Sequence, residues 1–89
     1  MTWRERAERM RRRGMPTKSD RDRMENLETC VAGEIAGFYG VTHEDLEWGI
    51  LWQIGDEAQG FMLALDFDAF EECIGRIEDE ALRLKRGGK

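Results

Sequence analysis

The side chains able to do chemistry in this chain are few and scattered. There is a single histidine, His43, and its neighbours Glu44 and Asp45 read as the first turn of a helix, where capping already accounts for them. A serine nucleophile would need a Gly-x-Ser-x-Gly turn, a phosphate site a glycine loop, and a dinuclear metal centre in a helical protein a Glu-x-x-His pair, and none of these occurs. A cysteine reacts as its thiolate, and Cys30 has no base near it in sequence. Cys30 and Cys73 are far apart with no companion cysteine, which makes neither a disulfide framework nor a zinc signature and suits two buried thiols in a reducing compartment. Asp66, Asp68, Glu71 and Glu72 offer the oxygen atoms calcium prefers without the spacing or glycine of an EF-hand loop, so helix capping explains them. The sequence therefore predicts a non-enzyme with no catalytic residue, metal site or cofactor.

Two carboxylates stand out because of their place on the apolar pattern. Glu47 falls within the stripe of Ile50 and Ile54, and Glu34 flanks Val31 and Ile35; a carboxylate buried there needs a partner or a raised pKa, whereas one at a helix edge stays wet.

Binding chemistry is better represented. Residues 1–23 carry nine basic against four acidic side chains, while residues 24–89 carry five against fifteen. The pattern predicts a basic N-terminal helix and linker over residues 1–18 and an acidic helical domain over 19–89. Arg4, Arg6, Arg9, Arg11, Arg12 and Arg13 could neutralise phosphates while Trp3 stacks on a base. Alternatively the basic arm is drawn to its own acidic domain. Trp48 and Trp52 are one helical turn apart, and tryptophan is enriched at interface hot spots; Trp3 and Met10 could instead cover them.

The elements that would position these groups follow from periodicity. Thr2 with Glu5 forms a capping box for a short helix closed by Gly14. Pro16 marks a linker, and Ser19 with Asp22 is a second capping pair. Met24, Leu27, Val31, Ile35 and Phe38 then recur at helical steps, predicting a helix from Asp20 to Tyr39 ended by Gly40. On its far side Thr29, Ala32, Gly33, Ala36 and Gly37 are small, which lets another backbone approach closely, whether the chain's own or a partner's. Thr42, Asp45 and the Val41–Leu46 staple open the next segment. Leu46, Ile50, Ile54, Ala58, Phe61 and Leu65 share one face there, with Trp48, Trp52 and Leu63 opposite, so a central helix from Thr42 to Leu65 is expected. A competing reading makes Trp48 to Ile54 and Phe61 to Phe67 the strands of a hairpin, which the glycines Gly49, Gly55 and Gly60 favour. Phe67, Phe70, Ile74, Ile77, Ala81 and Leu84 form the last helix, capped by Asp66 or Asp68, ended at Gly87-Gly88, with Lys85, Arg86 and Lys89 at the negative end of its dipole.

Thr29-Cys30-Val31-Ala32-Gly33-Glu34 resembles a Thr-Cys-Ala-Val-Gly-Glu segment of short uncharacterised prokaryotic proteins, with the middle pair exchanged. The resemblance covers six residues and implies no activity.

At 89 residues one domain is expected, near the size where a core only just outweighs chain entropy. A second copy or a partner would supply burial the chain lacks. The apolar runs are too short to span a bilayer and the charged N-terminus lacks the apolar stretch of a secretion signal, which predicts a cytoplasmic protein. The fold expected is all-α: a small antiparallel bundle of three main helices with the short basic helix in front. The function expected is a protein-interaction or regulatory module, contacting its partner, another protein or a second copy of itself, through Trp48, Trp52, Gly33 and Gly37. The alternative is a nucleic-acid accessory protein using Trp3, Arg4, Arg9, Arg11, Arg12 and Arg13, and no membrane contact is expected.

Overall fold

In the computed structural model, which describes residues 2–87 with the His43 side chain excepted, every regular element is helical. Chain order is α1 (Trp3–Arg13), α2 (Lys18–Glu25), a π-helical segment (Leu27–Ala32), α3 (Gly33–Tyr39), a 3-10 turn (His43–Asp45), α4 (Trp48–Leu63) and α5 (Phe67–Gly87). No strand occurs among the described residues, so the hairpin reading of residues 48–67 falls. The His43 side chain and the roles given to Gly88 and Lys89 lie outside the described residues.

α1 forms as its sequence dictates. Thr2 Oγ1 accepts from Glu5 N at 3.2 Å and Glu5 accepts from Thr2 N at 2.8 Å. Gly14, at φ 81°, ends the helix in the left-handed conformation that glycine alone adopts without penalty. Trp3, Ala7 and Met10 are buried in the common core, with the Trp3 ring edge-on to Phe70 at 6.0 Å between centroids. Arg4 meets Glu78 and Arg11 meets Asp68, so α1 runs antiparallel to α5.

The predicted helix from Asp20 to Tyr39 is three elements. It is capped at Thr17, not Ser19: Thr17 Oγ1 accepts from Asp20 N and Asp20 Oδ2 accepts from Thr17 N, both at 3.1 Å. Pro16 leaves Thr17 as the next extended residue, with a capping partner three positions on. The break comes at Asn26, φ −104° and ψ 62°. Its side-chain amide donates to the Asp22 carbonyl at 3.0 Å, the local competition with backbone pairing that makes Asn a poor interior helix residue. Beyond it the chain widens into a π-helix, whose last bond runs from Gly33 N to Glu28 O. A Cβ on Gly33 would come within 2.9 Å of that carbonyl, so glycine there answers to the wide turn rather than to a partner's backbone.

The predicted Thr42–Leu65 helix is shorter. Thr42 and Asp45 do pair, hydroxyl to carboxylate, but they close a 3-10 turn, and α4 starts only at Trp48. Its buried stripe is Leu51, Ile54, Gly55, Ala58 and Met62. Ile54 and Ala58 were expected there; Ile50 and Leu65 are exposed and Phe61 is half-buried. The rotation has a cause at Gly55. A Cβ there would meet both Leu27 methyl carbons at 2.8 Å, so the missing side chain is what turns this edge of α4 toward the π segment. Gly55→Ala is expected to lower stability by about 1–3 kcal/mol through overpacking, read as a fall in thermal midpoint by far-UV circular dichroism. An unchanged midpoint would mean that Leu27 moves aside freely.

α5 matches its pattern: Phe67, Phe70, Ile74, Ile77 and Ala81 are buried, and Asp66 Oδ1 accepts from Ala69 N at 3.2 Å as the cap. It packs along α4 and also receives α1 and α3. It is the element that α1, α3 and α4 share.

Candidate interaction surface

Trp52 and Leu63 lie on the side of α4 turned from its buried stripe, and Trp48 at the edge of that stripe. Trp52 is 46% and Leu63 58% exposed, with Ile50 also in solvent, while Trp48 is half-buried against the core. α4 carries no basic side chain. Trp3 and Met10 do not cover this ridge, because α1 docks on α5 and turns both residues into the core. The small-residue face spans the π segment and α3, and α3 has α5 and the π segment as its main neighbours. Ala32 and Ala36 are buried and Gly33 serves the π turn. A Cβ on Gly37 would meet nothing within 4 Å, leaving that stretch of α3 open, beside the exposed ring of Phe38. The structure therefore keeps two of the four predicted contact residues, Trp52 and Gly37, outward, and on different helices.

The arginines are divided in a way the sequence did not reveal. Arg4 reaches Glu78 at 2.6 Å, a hydrogen bond that raises its pKa further above the ordinary guanidinium value. Arg11 bridges Asp68 at 2.7 Å and Glu71 at 2.8 Å and touches the Phe67 carbonyl. Arg9 pairs with Asp20 at 2.8 Å, with Arg6 a further 3.7 Å from the same oxygen. Trp3, given a base-stacking role, is enclosed; its indole N–H donates to the Cys30 carbonyl at 2.7 Å. Of the arginines proposed to bind phosphate, Arg12 and Arg13 alone are left without an ion pair among the described residues. The attraction of the basic segment to its own acidic domain is thus realised, side chain by side chain.

Asp20 is the group sequence reading missed. It is wholly buried, caps α2 and holds two guanidiniums of α1, and Arg6 lies over the Trp3 ring at 5.2 Å. The signal was present in Thr17-x-x-Asp20 directly after Pro16, a capping box that commits the carboxylate to the α1–α2 junction. Conversely, Glu34 and Glu47 are exposed and pair with Arg23 at 3.2 Å and Arg83 at 3.8 Å; neither is a buried acid. Burial pushes the Cys73 thiol above its ordinary range, with Arg76 opposing, which disfavours the thiolate a nucleophile would need.

A groove of about 540 Å³ runs between α1, α3 and α5, lined by Trp3, Arg4, Glu34, Phe38, Tyr39 and Glu78. Its charged walls are already paired with one another or with Arg23. Among the described residues, no group of three His, Cys, Asp or Glu could hold a metal ion, and no helix is long and apolar enough to cross a membrane. No protein-family model, curated protein or solved structure matches the chain. The site must be read from its own chemistry.

Proposed function

We propose that this chain is a non-enzymatic protein-interaction or regulatory module that contacts its partner, another protein or a second copy of itself, along the α4 ridge of Trp48, Trp52 and Leu63. The observation that carries the reading is the exposure of Trp52 and Leu63, 46% and 58%, on the same outward stripe of one helix. Single exposed apolar residues are ordinary, whereas an indole and a leucine eleven residues apart on one face, with Asp56 and Gln59 between them, offer two apolar anchors to a partner helix. The open stretch at Gly37 is a second place where a backbone can approach. Three main antiparallel helices and a cytoplasmic location belong to the same reading.

The nucleic-acid reading retains Arg12 and Arg13, the two arginines of its set without an internal partner. It predicts a low-salt gel shift that fades steeply as salt rises.

Trp52→Ala combined with Leu63→Ala is expected to leave the thermal midpoint within about 2 °C, because neither side chain is in the core. The same double variant is expected to weaken self-association or partner capture about 30-fold, the scale of one hot spot. Sedimentation equilibrium and capture of the native complex measure the two cases. Unchanged mass together with unchanged capture would remove the proposal.

A further inference from the structure

One end of the molecule gathers features that the fold does not use. The Arg11 guanidinium reaches the Phe67 carbonyl and Asp68, so the C-terminus of α1 lies beside the turn joining α4 to α5. Asp20, on the first turn of α2, bonds Arg9, which brings the start of α2 to the same end. Arg12, Arg13 and Lys18 are exposed there with no ion pair among the described residues. Met15, Leu63 and Leu65 are there too, 55%, 58% and 52% exposed, half of the large apolar side chains that the structure leaves in solvent. Of the acids at this end Asp66 caps α5 and Asp68 pairs with Arg11, while Asp22 stands one turn beyond Lys18, both on one shallow pocket.

Leu65 has a further peculiarity. α4 closes with Asp66 N donating to Phe61 O at 2.9 Å, a Schellman turn that places Leu65 at its left-handed position, φ 63°. The corresponding positions after α1 and α3 are glycines, Gly14 and Gly40. Leu65 is the only non-glycine residue of positive φ among those described, and its side chain makes no use of the core. A strained backbone holding an apolar side chain in solvent is the kind of outlier that clusters at ligand contacts.

We propose that this end, formed by Arg12, Arg13, Met15, Lys18, Leu63 and Leu65, receives an acidic, apolar segment of the partner protein. The inference rests on the α4 ridge being a protein contact, since Leu63 belongs to both surfaces, and it names the chemistry of what the ridge meets. Charge complementarity selects the occupant. Three cations without an ion pair among the described residues, at the same end as three exposed apolar side chains, match a helix that alternates carboxylates with leucine-like residues. A long polyanion or an anionic bilayer would also face the rest of a chain whose net charge is −5. A short segment feels only the cations within a Debye length of about 8 Å.

The test is selection of peptides from a random display library on the immobilised full chain, followed by anisotropy titration of the enriched peptides. Enriched peptides are expected to combine Asp or Glu with Leu, Ile or Phe at three- and four-residue spacing. The triple variant Arg12→Glu, Arg13→Glu, Lys18→Glu should bind them at least about tenfold more weakly. Leu65→Gly should weaken them several-fold while raising the thermal midpoint by about 4 °C, because glycine relieves the left-handed strain; loss of affinity in a more stable protein cannot be misfolding. Enrichment of neutral or basic peptides overturns the inference, as does affinity untouched by charge reversal. If Trp52→Ala abolishes binding and charge reversal does not, the inference fails and the α4 reading survives. If neither change matters, both fail. Cosedimentation with phosphatidylserine vesicles, or an oligonucleotide shift, that is lost in the triple variant while no acidic peptide is enriched would assign this end to a membrane or a nucleic acid and overturn the proposal.

Discussion

Replacing Asp20 with alanine is expected to remove a large fraction of the stability of the protein. The carboxylate is completely buried and its Oδ1 receives Arg9 at 2.8 Å, with Arg6 at 3.7 Å, while its Oδ2 accepts the backbone N–H of Thr17. Arg6 is 7% exposed, and its Nε, like that of Arg9, already has no hydrogen-bond partner. Removing the carboxylate leaves the Arg6 charge in a site where it can neither pair nor hydrate. Breaking such a pair from one side costs about 3–5 kcal/mol, and loss of the cap adds about 1. Arg9 is a third exposed and can turn to water, so the lower end, about 3–4 kcal/mol in total, is the expected result. A chain of this length has a total stability of about 4–13 kcal/mol. Urea unfolding followed at 222 nm should therefore show the midpoint fall by about a quarter or more. Asp20→Asn keeps a single carbonyl oxygen, which accepts from Arg9 or from Thr17 N while its NH2 faces the other donor, and is expected to recover only part of the loss. A loss below about 1 kcal/mol for Asp20→Ala would show that the two guanidiniums find other partners, and that the α1–α2 junction is not pinned here.

The same residue shows where sequence reasoning stops. Helical periodicity identified α1 and α5 because their patterns are local: Thr2 and Glu5 cap within one turn, and Phe70, Ile74, Ile77 and Ala81 repeat on one stripe. The interruption at Asn26 and the π turn after it were not legible. An extra residue in a helix leaves the apolar residues nearly in step, and Leu27, Val31 and Ile35 are buried whether or not the turn widens. On α4 the stripe was placed by hydrophobicity alone, yet Gly55, which has no side chain to score, decides which edge faces Leu27. Charge asymmetry was visible, but its destination was not: whether Arg4 and Arg11 meet a phosphate or the acids of α5 depends on a pairing seventy-four and fifty-seven residues away. Of the predicted contact surface, Trp52 and Gly37 are open and Gly33 is taken by the π turn. Leu65 went unrecognised because a left-handed leucine has no sequence signature.

That destination is itself testable, because an arm and a core helix respond oppositely to truncation. Were residues 1–13 an appendage for nucleic acid, deleting them would abolish binding and leave the melting of residues 19–87 unchanged. In the structure they bring Trp3, Ala7 and Met10 into the core, and Trp3 alone is 2% exposed, edge-on to Phe70 and hydrogen-bonded to the Cys30 carbonyl. Trp3→Ala is expected to cost about 3–5 kcal/mol from the lost area and the cavity, together with about 1 kcal/mol for the carbonyl left unpaired at the π segment. Trp3→Phe keeps most of the ring and loses the N–H, so about 1–2 kcal/mol is expected. The three tryptophans give the measurement an internal control: Trp52 emission should be quenched by acrylamide and that of Trp3 should not, until Trp3 and the helices melt in one transition. Deletion of residues 1–13 should leave a chain without a cooperative melt. A truncated protein that melts cooperatively near the full-length midpoint would return α1 to the status of an arm, and would put Arg4, Arg9 and Arg11 back among the side chains free to meet a polyanion.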